Sequence, residues 1–84
     1  MKTTNQSQHK NIIGKKVREL RLQKGLTQDQ LAAKLEINEI KIDRIVISRI
    51  ESGNRFVSDY EIAEIAKALD TTPNFLLSFV EVPT

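Results

Sequence analysis

The chain of 84 residues has no cysteine, one histidine, three glycines and a formal net charge of only +2. Without cysteine there is no disulfide framework, no thiolate ligand set and no thiol nucleophile, and an intracellular, cytoplasmic setting fits. The lone His9 lies in a polar stretch, Ser48 has no base beside it, and no glycine-rich loop is present to cradle a phosphate. Catalysis is therefore not expected, and no cofactor, metal or small-molecule ligand is implied. No apolar run exceeds a few residues, and Met1–Lys10, MKTTNQSQHK, lacks the apolar segment of a secretory signal, so no membrane partner is expected. At this length a single domain is expected, with no room for an effector or catalytic domain and with a small core that calls for economical helical packing or a second subunit.

With so little net charge, affinity for a polyanion depends on where charges sit. Lys10, Lys15, Lys16, Arg18, Arg21 and Lys24 crowd the first third against Glu19 alone, whereas Asp59, Glu61 and Glu64 gather later.

The most informative stretch is Asp43 to Gly53, DRIVISRIESG. Asp43 suits the N-cap of a short helix, and Gly53 suits the left-handed residue that ends one. At about 100° per residue, Ile47, Ile50 and Glu51 face one way, and Ile45, Ser48, Arg49 and Ser52 face the other. One side packs and the other is presented outward. Upstream, LTQDQLAAKL opens with Thr27 and Gln30 spaced as a capping box, so a second short helix is expected from Gln28 to about Ile37 with Leu31, Ala32 and Leu35 inward. Two consecutive short helices, the second presenting arginines, point to a double-stranded DNA reader.

The remaining segments complete an all-α pattern. Residues 1–10 read as a polar tail and residues 81–84 as a second tail, leaving 11–80 as the domain. Ile13, Val17 and Leu20 form an apolar stripe within Ile12 to Lys24, closed by Gly25. Arg21 falls on that apolar side and calls for a carboxylate partner. Asn38 to Ile42 reads as an extended connector with Ile40 and Ile42 on one packed side and Asn38 in the left-handed position. Ser58 and Glu61 repeat the capping box before the stripe Ile62, Ile65, Ala66 and Leu69. Thr72 with Pro73 begins a last helix, PNFLLSF, which buries some of Phe75, Leu76 and Phe79.

With these residues in view, Gly14 to Leu77 resembles the Xre/Cro-type helix-turn-helix of phage repressors and many bacterial regulators. The matching words are IGKKVRELRLQKGLTQDQLAAKL, ISRIESGNR and EIAEIAKALDTTPNFLL, about three quarters of the chain in family order. The resemblance implies five helices in a lambda-repressor-like DNA-binding domain, with the third helix lying in the major groove. It puts Arg44, Ile45, Ser48 and Arg49 at base-facing positions, Thr27, Gln28, Asn54 and Arg55 at phosphate-contact positions, and Arg21 with Glu51 in a buried ion pair. The turn before the reading helix is longer than the family's usual glycine-valine-serine link, as in a subset of similar regulators.

The resulting expectation is a sequence-specific DNA-binding transcriptional regulator, acting as a repressor and a homodimer by placing helix 44–52 in the major groove. Several milder readings stay open. Arg44 and Arg49 serve guanine edges, serve phosphates or simply face solvent, Gln28 serves either a phosphate or only the capping turn, and Phe79, Val80 and Val82 either form a dimer contact or complete the core. A protein-interaction module or antitoxin-type partner protein that retains the fold is the alternative, and a prophage repressor, a restriction controller and an antitoxin are not separable at this level.

Overall fold

Four helices begin where a side chain takes up the backbone N–H groups that the first helical turn leaves free. The computed structural model, which describes residues 9–78, has five α-helices and no strand among those residues: α1 Gly14–Gln23, α2 Gln28–Ile37, α3 Arg44–Glu51, α4 Asp59–Ala68 and α5 Pro73–Leu77. Thr27 with Gln30 and Ser58 with Glu61 form complete capping boxes at α2 and α4, and Asp43 and Thr72 accept from Val46 and Phe75 at α3 and α5. At the fifth start, α1 begins at Gly14 rather than at Ile12, because Asn11 Oδ1 accepts from the backbone N–H groups of Ile13 and Gly14.

The first four helices end alike. The residue after each C-cap takes positive φ, and the next N–H donates to a carbonyl five residues back: Leu26 to Arg21, Ile40 to Leu35, Asn54 to Arg49 and Thr71 to Ala66. Gly25 and Gly53 fill two of the left-handed positions without a Cβ penalty, whereas Glu39 and Asp70 adopt φ of 65° and 61°. The left-handed position expected at Asn38 therefore belongs to Glu39. Burial of Ile42, with Ile40 partly buried against the core, pulls the chain inward one residue later than the polarity of Asn38 implies.

These caps aim the apolar stripes at one core of Ile13, Val17, Leu31, Leu35, Ile42, Ile47, Ile50, Ile65, Ala66, Leu69 and Leu76. The stripe positions Leu20, Ala32 and Ile62 pack at its edge. In α5 only Leu76 is buried; Phe75 and Leu77 are 47% and 43% exposed, because five residues make too short a helix to turn more than one large side chain inward. Of Phe75, Leu76 and Phe79, some of which this helix was expected to bury, Leu76 is buried and Phe75 is not. Phe79, Val80 and Val82 lie outside the described residues, as do positions 1–8 of the polar tail. The end of that tail is fastened: the Lys10 N–H donates to the Gly53 carbonyl at 2.8 Å.

Candidate nucleic-acid interface

The outward side of α3 follows from what holds its inward side. Asp43 Oδ1 accepts from the Val46 N–H at 2.9 Å, which sets the helix start, and Ile47 and Ile50 are buried. Arg44, Ile45, Ser48 and Arg49 are then all exposed, Ile45 by 55%. At the inner end, Arg21 Nε donates to Glu51 Oε2 at 2.6 Å and Nη2 donates to Glu51 Oε1 at 3.0 Å, with the two side chains only 8% and 4% exposed. Arg21 Nη1 also donates to the Leu26 carbonyl at 2.8 Å. The Glu51 hydrogen bond pushes Arg21 above its ordinary pKa, against the lowering effect of burial, so this guanidinium stays charged.

Around the exposed row, charge is unevenly placed. Arg44 Nε lies 3.7 Å from Asp29 Oδ1, both well exposed, a spacing that contributes little stability. Thr27, Gln28, Asp29 and Arg44 share one hollow at the start of α2, where free helical N–H groups favour an anion. A second hollow carries the carboxylates of Asp29, Glu36, Glu39 and Asp43 beside the cations Lys41 and Arg44, an acidic balance.

Beyond α3, Asn54 is exposed, and its backbone N–H donates to the Arg49 carbonyl at 2.8 Å. Arg55 turns the other way, with Nη1 and Nη2 donating to Glu61 Oε1 and Oε2 at 3.0 and 3.2 Å. Burial raises the Glu61 pKa, but the hydrogen bonds from Arg55 and from Ser58 outweigh it and hold the carboxyl below its ordinary range.

An exposed, capped helix that packs on its predecessor α2 and is fastened behind by Arg21 of α1 is the arrangement that a helix-turn-helix requires. The helix-turn-helix family model matches residues 17–76 of this chain. The chain belongs to that helix-turn-helix family. It is 39% identical over 72 residues to the control protein C.BamHI of Bacillus amyloliquefaciens, covering 84% of this chain and 83% of that one. The crystal structure of the restriction-modification controller protein C.AhdI from Aeromonas hydrophila superposes with a TM-score of 0.68 at 38% identity, over 77% of this chain and 87% of that chain. The P22 c2 repressor protein, in complex with synthetic operator 9T, matches in fold with a TM-score of 0.69 at 20% identity, over 81% of this chain and 96% of that one. The chain is thus an all-α, DNA-binding transcriptional regulator of the Xre/Cro type.

In this helix-turn-helix, α2 and α3 are joined by residues 38–43. The structure brings Arg44, Ile45, Ser48 and Arg49 onto one exposed face, and Thr27 and Gln28 beside its first residue. Two polar side chains are already engaged inside the domain: Gln28 Nε2 donates to Glu51 Oε1 at 3.1 Å, and Arg55 is paired with Glu61. Asn11, whose side chain bridges to the Ile50 and Arg55 carbonyls, is absent from the sequence-based site. An asparagine three residues before Gly14 carried a usable N-cap signal; its contacts across the fold did not. Among the described residues no helix is long and apolar enough to cross a membrane.

Proposed function

We propose that this regulator reads a two-fold symmetric operator as a homodimer and serves a restriction-modification system as its controller. The observation that carries the reading is the exposed row Arg44, Ile45, Ser48 and Arg49 on a helix immobilised from behind by Arg21 and Glu51. Similarity to C.BamHI and C.AhdI over most of their lengths supports the biological setting.

Arg49 and Arg44 address guanine O6 and N7, Ile45 packs on a thymine methyl, and Ser48 takes a neighbouring base edge. The Thr27 hydroxyl and the backbone N–H of Gln28 hold one phosphate and Asn54 another, the Thr27 N–H being taken by Gln30. Arg55 spends its guanidinium on Glu61, so its share in the phosphate grip is to shape the loop that presents Asn54. Two readers are needed because major-groove half-sites recur about one helical turn apart. Phe79, Val80 and Val82 follow directly on the exposed Phe75 and Leu77, and this apolar stretch supplies the two-fold contact. The role is regulatory, with no catalytic step.

Selection from a random duplex library at about 150 mM salt tests the proposal, since non-specific phosphate binding is weakened there. A palindrome with half-sites spaced by about 10 bp is the expected product. Absence of any enriched sequence would transfer the fold to the protein-interaction class. Sedimentation at micromolar concentration that shows only monomer, with and without the selected duplex, would remove the dimer.

A further inference from the structure

The amide of Asn11 is saturated by four hydrogen bonds that join three separate parts of the domain. Its Oδ1 accepts from the Ile13 and Gly14 N–H groups at 3.0 and 2.8 Å, at the start of α1. Its Nδ2 donates to the Ile50 carbonyl at 3.2 Å, in the last turn of α3, and to the Arg55 carbonyl at 2.8 Å, in the loop that follows. The neighbouring Lys10 N–H donates to the Gly53 carbonyl at 2.8 Å. At the same place α1 and α3 touch through backbone, since a Cβ on Gly14 would lie 2.2 Å from the Ile50 carbonyl oxygen.

Capping α1 requires only the oxygen of Asn11. The two donations from Nδ2 do something else: they hold the exit of α3 and the 54–55 loop at one fixed distance from α1. Arg49 sits one residue before Ile50, and its carbonyl receives the Asn54 N–H. We propose that Asn11 is a positioning residue for DNA recognition, setting the last turn of α3 so that Arg49 and Asn54 meet base and backbone in register. The inference rests on the reading of α3 given above, and it concerns a residue that touches no DNA. A bidentate contact loses its geometric match when its backbone shifts by a fraction of an ångström, whereas Arg44 stands at the Asp43-capped start of the same helix, at the opposite end from the Ile50 carbonyl that Asn11 holds.

The test separates the two halves of the amide. Asn11→Asp keeps the acceptor that caps α1, removes both Nδ2 donations and sets a carboxylate against two carbonyl oxygens. Arg49→Ala and Arg44→Ala first define, by competition among single-base variants of the selected operator, the base pair that each arginine reads. At the Arg49 base pair, where a bidentate contact discriminates by roughly tenfold or more, Asn11→Asp is expected to cut discrimination at least about threefold and to leave the Arg44 base pair unchanged. Leu76→Val, a destabilising core change in α5 at a residue buried away from the α3 face, is expected to leave both preferences intact and controls for destabilisation. Asn11→Ser, which keeps a short acceptor and cannot span to Ile50, substitutes if the aspartate variant does not fold.

Unaltered discrimination in Asn11→Asp, or an equal loss at both base pairs or in Leu76→Val, overturns the proposal. Unfolding of both Asn11 variants also overturns it, by making the residue a requirement of folding alone. If Arg49→Ala relaxes no base pair, the reading of α3 itself fails and the inference falls with it, an outcome distinct from an indifferent Asn11→Asp.

Discussion

Arg21 and Glu51 are 30 residues apart in sequence, yet they meet through two parallel hydrogen bonds at 2.6 and 3.0 Å inside the domain. The pair joins α1 to the end of α3, and Gln28 extends it to the start of α2. Three helices thus converge on one carboxylate. Side-by-side geometry of this kind fixes orientation as well as distance, and orientation is what a reading helix needs.

Glu51→Ala leaves the Arg21 charge buried with only the Leu26 carbonyl for company. The expected cost is about 3–5 kcal/mol, read as a lower urea midpoint at unchanged m-value. An unchanged midpoint would mean that the pair is solvated in solution. Replacing both partners by Met and Leu is expected to cost much less than the single change, because no orphaned charge remains.

Gly14→Ala drives a methyl group to 2.2 Å from the Ile50 carbonyl oxygen and 3.0 Å from that of Glu51. Both obstacles are backbone, so relief requires α1 and α3 to separate. A loss of about 1–3 kcal/mol is expected, with thermal denaturation as the measurement. Equal melting temperatures would show that the two helices part without strain.

Glu39→Gly acts in the opposite direction. Glu39 holds φ at 65°, where a Cβ is crowded and glycine is not. The gain, reduced by the freedom that glycine adds to the unfolded chain, is expected to be about 0.5–1 kcal/mol, a rise of a few degrees in Tm. Asp70→Gly, at φ 61°, is expected to behave likewise, with only an exposed ion pair to Lys24 lost.

Glu61 makes stability depend on acid. Its carboxyl is held below the ordinary value of 4.5, so the unfolded chain takes up a proton at higher pH than the folded one. The contribution is therefore complete above that ordinary value and is lost as pH falls through the depressed folded value. Glu61→Gln is expected to lower stability at neutral pH and to flatten the acid limb of the stability profile. Parallel acid limbs for parent and variant would assign the acid sensitivity to other carboxylates.

Arg49→Ala is expected to relax one base pair of the operator by about 1–3 kcal/mol while the other positions keep their preferences. Competition binding at constant salt measures it. Uniform weakening across all sequences would make Arg49 a phosphate contact.

Much of the interface was legible before folding because its signals are local. The caps of Thr27, Asp43, Ser58 and Thr72 each bond to a backbone group three residues on. The faces of α3 follow from its period, which assigned Ile47 and Ile50 inward and Ile45, Ser48 and Arg49 outward. Arg21 and Glu51 were each legible as a charge on an apolar stripe that calls for its opposite, and the family resemblance implied that they form one pair. The Arg55–Glu61 pair was not legible for the complementary reason: an arginine in an exposed loop has many possible partners, and Glu61 already had an evident use in the capping box.

The sequence by itself determined the number and order of the helices, the caps that start the last four, most of the residues each turns inward, and the exposed row on α3, because these depend on interactions within one or two turns of chain. Only the tertiary structure decided that Glu39 rather than Asn38 reverses the chain after α2, that Gln28 and Arg55 are drawn to carboxylates within the domain, that Gly14 admits α3 to backbone contact, and that Asn11 ties three segments together. Those outcomes depend on which carbonyls and carboxylates arrive beside a side chain once the core of Ile13, Ile47, Ile50 and their neighbours has closed. The amide of Asn11 reaches partners 39 and 44 residues away, and no periodicity along the chain encodes a meeting at that separation.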